Sequence, residues 1–134
     1  MARIPSTPLF VKTHDFNTWL LGHTQRFPKH LRHTLTHRIE TLAYDFEEKI
    51  IMANSLRGEE RLRALQQADG ILMCLRVRIR YAADFKLLSG RQIQYVAECL
   101  DELGQEKLLK RVVSSSAADW RVQIFETYFW VMDW

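Results

Sequence analysis

The chain has 134 residues, 47% of them hydrophobic and 26% charged, with a formal charge of +3 and a pI near 9.0. That composition fits one folded domain and excludes a disordered polyelectrolyte. No apolar run is long enough to span a membrane, and the opening MARIPSTPLF lacks the apolar core of a signal peptide, so a soluble, cytoplasmic protein is expected. Cys74 and Cys99 match neither a metal-ligand spacing nor a disulfide framework, and they are read as reduced, buried or half-buried thiols.

Only three prolines and five glycines interrupt the chain, and long stretches carry a 3.6-residue period, which predicts helices. The first helix is expected to open with Thr7 as N-cap and Pro8 behind it, since proline supplies a helical φ where no amide donor is needed. Its apolar marks are Leu9, Phe16, Trp19, Leu20 and Phe27, and Pro28 ends it. The second carries the clearest stripe: Leu31, Leu35, Ile39, Leu42, Phe46, Ile50 and Ala53 cover about six turns, with Gly58 marking the end. The third is predicted over about 59–86, with Leu62, Leu65, Leu72, Leu75, Ile79 and Ala82 on one side. Ser89 opens the fourth, where Gln92 three residues on completes a capping box, and Ile93, Val96, Leu100 and Leu103 follow. Four amphipathic helices on short links predict an all-α, antiparallel, up-down-up-down four-helix bundle over 1–113. Residues 114–134 form a Ser-rich break and an aromatic tail holding Trp120, Phe125, Tyr128, Phe129, Trp130 and Trp134. These side chains are expected to cover the bundle or meet a partner rather than face water.

The small net charge is spatially sorted. No Asp or Glu occurs between Asp15 and Glu40, whereas acids gather at Asp45, Glu47 and Glu48 and again at Glu98, Asp101, Glu102 and Glu106. The acid-free interval closes with RFPKHLRHTLTHRIE, 26–40, which holds Arg26, Lys29, Arg32, Arg38 and three histidines and whose only carboxylate is its last residue, Glu40. His30, His33 and His37 have spacings that could hold a metal. With Leu31 at zero on the helical wheel, however, the core centres near roughly 35° and these histidines near roughly 230°. An isolated outward face supplies neither further ligands nor a second shell, so a solvated, anion-facing surface is expected and no metal. Arg38 lies close to the stripe and is expected to run along the bundle edge with its head on a carboxylate from a neighbouring helix or subunit.

In LRVRIR, Arg76 and Arg80 share one flank of the third helix and Arg78 takes the other. The planar fork of arginine suits phosphate, while interhelix or intersubunit ion pairs are the equally available alternative. No nucleophile elbow, P-loop, HExxH or glycine-rich fingerprint is present, and His37-x-x-Glu40 reverses the order that a di-metal carboxylate bundle uses. No catalysis and no cofactor are expected.

Phe27-Pro28-Lys29, then Arg32-His33-Thr34-Leu35 leading into Arg38-Ile39-Glu40, resembles the accessory variability determinant (Avd) proteins of diversity-generating retroelements. Ala68-Asp69 with Leu72, Leu75 and the arginine string continues the likeness, as do Leu87-Leu88-Ser89 with Gln92 and Asp101-Glu102-Leu103-Gly104. It covers about residues 8–109; past Gly104 the sequence QEKLLKRVV stands where the family usually has a Gly-Gly-Trp-like segment. The resemblance implies a non-catalytic bundle assembled as a homopentameric ring. Such proteins bind RNA and DNA and the error-prone reverse transcriptase, in support of mutagenic retrohoming. Arg26, Lys29, Arg32, Arg76, Arg78 and Arg80 are the candidates for nucleic-acid or reverse-transcriptase contact, pairing with phosphate rather than reading bases. Two other readings share the pattern: a bundle of the ribosomal-RNA intervening-sequence type, and a structural oligomeric scaffold without nucleic-acid binding.

Overall fold

The computed structural model describes residues 7–106. The expected tail, 114–134, lies outside them. Within the described residues the structure is entirely helical: α1 Pro8–Thr24, a 3-10 turn Lys29–Leu31, a π-helical turn Arg32–Thr36, α2 His37–Ser55, α3 Gly58–Asp84 and α4 Gly90–Gln105.

Local chemistry accounts for the boundaries. The Thr7 hydroxyl accepts from the Phe10 amide with Pro8 in the first turn, and Ser89 and Gln92 form the expected capping box at α4. α1 stops earlier than its sequence suggests. The Arg26 and Phe27 amides turn back onto the His23 and Thr24 carbonyls, so Phe27 sits in the link before Pro28. α2 ends at Ser55, and Gly58 opens α3 at φ 60°, a left-handed conformation that costs glycine little. α3 ends in a Schellman motif, with the Leu87 amide on the Ala82 carbonyl and the Lys86 amide on Ala83. Lys86 there carries φ 58°, where glycine is usual.

Partner numbers establish the topology. The Thr24 hydroxyl meets Glu40 Oε2 at 2.8 Å, and Asn17 Nδ2 donates to the Ala43 carbonyl at 3.0 Å. Numbers fall along α1 as they rise along α2, so the two helices run antiparallel. Lys12 pairs with Glu106, and the Trp19 and Tyr95 rings lie 4.9 Å apart, so α4 runs antiparallel to α1. α2 and α3 share the longest seam. Leu9, Phe16 and Leu20 from α1, Ile39 and Phe46 from α2, Leu72, Leu75 and Ile79 from α3, and Val96, Leu100 and Leu103 from α4 make one buried core.

The long stripe of the second helix is broken. The π-helical turn carries one extra residue, which offsets the wheel by about 100°. Thr36 therefore takes the core register ahead of Ile39, while Leu31 and Leu35 swing to a half-buried edge. Leu62 is likewise not core: it is 36% exposed near the start of α3.

Candidate functional site

In an up-down-up-down bundle the α1–α2 and α3–α4 links share one end, and here that end collects cations. Arg26 follows α1, Lys29 and Arg32 sit in the irregular turns, and Arg38 is in the first turn of α2. Arg78 and Lys86 come from the end of α3, and Arg91 from the start of α4. All are exposed except the half-buried Arg78. The ion pairs of Lys12 with Glu106, Arg63 with Glu59 and Arg80 with Asp84 use none of them. Glu40, the nearest acid in sequence, is occupied by Thr24 and by Gln25 Nε2, at 3.4 Å. The remaining acids of α2 and those of α4 lie toward the opposite end. There Glu106 raises the Lys12 pKa above its usual value, chiefly by hydrogen bonding.

Between α2 and α3 this end opens into a groove of about 530 Å³ lined by Leu31, Thr34, Leu35, Arg38, Arg78, Tyr81 and Phe85. The π-helical turn builds one wall by moving the two leucines to the edge of the bundle, where Leu35 still packs against the core. Arg78 lies over the Tyr81 ring, 5.9 Å from its centroid, and the Tyr81 and Phe85 rings are 6.4 Å apart. Both rings are largely solvent-facing. The groove thus offers two guanidinium groups beside apolar and aromatic surface, a combination that holds anionic and ring-bearing ligands.

The arginines of LRVRIR separate. Arg76 is only 2% exposed and donates from Nη2 to the Leu100 carbonyl of α4 at 2.7 Å. It belongs to the α3–α4 interface, so the expectation that it faces a phosphate is corrected. Seven residues earlier, Asp69 is buried on the same helix. Arg80 is half-buried with its Nε on Asp84 Oδ1 at 3.0 Å. Arg78 remains available, and Arg26, Lys29 and Arg32 are exposed as surface candidates must be. Arg38 lacks the expected carboxylate among the described residues and lines the groove instead. Lys86, Arg91, Tyr81 and Phe85 were missed by sequence reasoning. Lys86 and Arg91 share a positional signal, flanking the short α3–α4 link that returns the chain to the same end of the bundle, whereas Tyr81 and Phe85 carry none.

His30, His33 and His37 are exposed, and the described residues contain no group of three His, Cys, Asp or Glu side chains able to hold a metal. Cys74 is exposed rather than buried, while Cys99 is half-buried and both are free thiols. Burial pushes the Cys99 pKa up, partly offset by its hydrogen bond with Tyr95. No described helix is long and apolar enough to cross a membrane.

The bAvd-like family model matches residues 9–111, spanning all four helices and the basic turns between the first two. The chain belongs to the bAvd-like family. No curated protein and no solved structure matches the chain. Membership supports an accessory role in a diversity-generating retroelement, in a family whose members are non-catalytic. The family match stops just before the Ser-rich break, so the aromatic tail of this Avd-like chain lies beyond it.

Proposed function

We propose that this Avd-like protein acts as a non-catalytic accessory subunit of a diversity-generating retroelement, holding template RNA and its DNA copy beside the error-prone reverse transcriptase during mutagenic retrohoming. The observation that carries the reading is the concentration of unpaired cations at one end: Arg26, Lys29, Arg32, Arg38 and Arg78 form no ion pair among the described residues. Cations without internal partners keep their full attraction for a polyanion. A homopentameric ring would repeat this end five times around one axis, converting a modest charge per chain into a strong field. The same surface is the proposed dock for acidic segments of the reverse transcriptase.

The test is binding of single-stranded RNA, read by fluorescence anisotropy across a salt series, with light scattering to count subunits. Removing one cation that pairs with a phosphate should flatten the log–log salt slope by about 0.7 per chain. Replacing Arg26, Lys29 and Arg32 together with Ala should therefore weaken binding at low salt and lower the slope, with the helical signal intact. Unchanged affinity in that variant would remove the basic end as the nucleic-acid surface.

A further inference from the structure

The groove between α2 and α3 has no cover among the described residues. Phe85 is 56% exposed and Tyr81 45%. Beside them, Arg38 and Arg78 have no acidic partner among the described residues. Open ring surface flanked by unpaired guanidinium groups favours an occupant that is both aromatic and acidic. The chain itself carries such a segment past its described residues: DWRVQIFETYFWVMDW, 119–134, has six large aromatic residues and the acids Asp119, Glu126 and Asp133 against the single base Arg121.

We propose that this segment docks in the groove of its own chain, laying aromatic side chains against Tyr81, Phe85, Leu31 and Leu35 and bringing Glu126 or Asp133 to Arg38 and Arg78.

Reach permits it. Glu106 is tied to Lys12 at the far end of the bundle. α4, with its 16 residues, is about 24 Å long at 1.5 Å per residue. Residues 107–119, at no more than about 3.3 Å each, can span up to about 43 Å, more than the return journey requires. Charge favours the groove over the exposed apolar side chains of α2. Tyr44, Ile51 and Met52 on α2 have Asp45, Glu47 and Glu48 as near neighbours in the helix, which would repel an acidic segment. The segment also lies past the family match at 9–111, while every residue lining the groove lies inside it. This chain therefore carries its own cover for a surface built from the family's bundle. The tail and RNA would compete for Arg38 and Arg78, whereas Arg26, Lys29 and Arg32 lie outside the groove lining and stay open to a polyanion. The experiment below uses the protein without RNA, so the two readings can fail separately.

The experiment uses the full chain with p-benzoyl-phenylalanine in place of the exposed Tyr81. Equal amounts of heavy-nitrogen-labelled and unlabelled chains are co-refolded, irradiated and digested, and crosslinked peptides are read by mass spectrometry. The proposal expects crosslinks from residue 81 into 119–134 with both peptides of one isotope composition. Mixed-isotope pairs would overturn it in favour of a second copy seated in the groove. Crosslinks confined to residues 7–106, or none to the tail, would overturn it in favour of a groove left open for an external partner. The double variant Arg38→Glu with Arg78→Glu should lower tail crosslinking by about tenfold, as two surface charge pairs are lost. Adding Glu126→Arg and Asp133→Arg should restore it. Failure of this reversal, with the helical circular dichroism unchanged, would overturn the assignment of those charges.

Discussion

Arg76 and Arg78 stand two residues apart in one stretch of α3 and serve opposite purposes. Arg76 points into the α3–α4 interface, nearly sealed from solvent, and donates to the Leu100 carbonyl. Arg78 points toward α2 and shares an open groove with Arg38 and two aromatic rings. A rotation of about 200° around the helix separates them. One guanidinium is thereby committed to holding helices together and the other left available to a ligand. The interior and the surface of the bundle thus draw on the same residue type under different dielectric conditions. A buried cation has to be satisfied internally, whereas an exposed one keeps its charge for whatever arrives.

The contrast is broken most directly by truncating both arginines. Arg76→Ala should lower stability by about 2–5 kcal/mol, through a lost charged hydrogen bond and an interior cavity, seen as a fall in the urea midpoint. Arg78→Ala should leave stability within about 0.5 kcal/mol while flattening the RNA salt slope. Equal loss of stability in the two variants would erase the distinction.

Next in size, Ser89→Ala removes the capping box and should cost about 1 kcal/mol in thermal or urea unfolding, with no effect on RNA affinity. Lys86→Gly sharpens the comparison because its two effects oppose each other. Relieving the left-handed lysine should raise stability by about 1 kcal/mol, while loss of a cation at the basic end should weaken RNA binding.

The smallest effect is alkaline. The folded Cys99 thiol ionises above its ordinary value of 9.0 because burial disfavours the thiolate. The unfolded chain therefore releases this proton first as pH rises. The contribution of Cys99 to stability is intact below pH 9.0 and is lost as pH climbs through the raised folded value. Unfolding midpoints measured on either side of pH 9.0 should fall less in Cys99→Ala than in the parent. Iodoacetamide should also label exposed Cys74 before Cys99.

Much of the fold is legible in the sequence. Thr7, Pro8, Ser89 and Gln92 act through neighbours three or four residues away, so their roles can be read locally. The stripes of α2, α3 and α4 survive because burial follows helical periodicity. The departures have local causes as well. Leu31 and Leu35 read as core because a perfect wheel runs straight through a turn that in fact holds one extra residue. Leu62 reads as core because periodicity cannot say where along a helix the neighbouring helices stop covering it.

The candidate site is half visible. Arg26, Lys29 and Arg32 can be named from an acid-free interval, since charge sorting is a property of the chain. Arg38 reads as needing a carboxylate, and Arg76 and Arg78 cannot be told apart by composition. Tyr81 and Phe85 are not marked at all, because an exposed aromatic has no signature until its neighbours are known.

The sequence by itself determined the helices, most of their caps, the segregation of charge and the family resemblance, all of which depend on residues close together in the chain. Only the tertiary structure decided which arginine was enclosed and which stayed open, and that the two distant links share one cationic end. Those outcomes depend on which helix faces which, and burial, unlike periodicity, is conferred by neighbours far away in sequence.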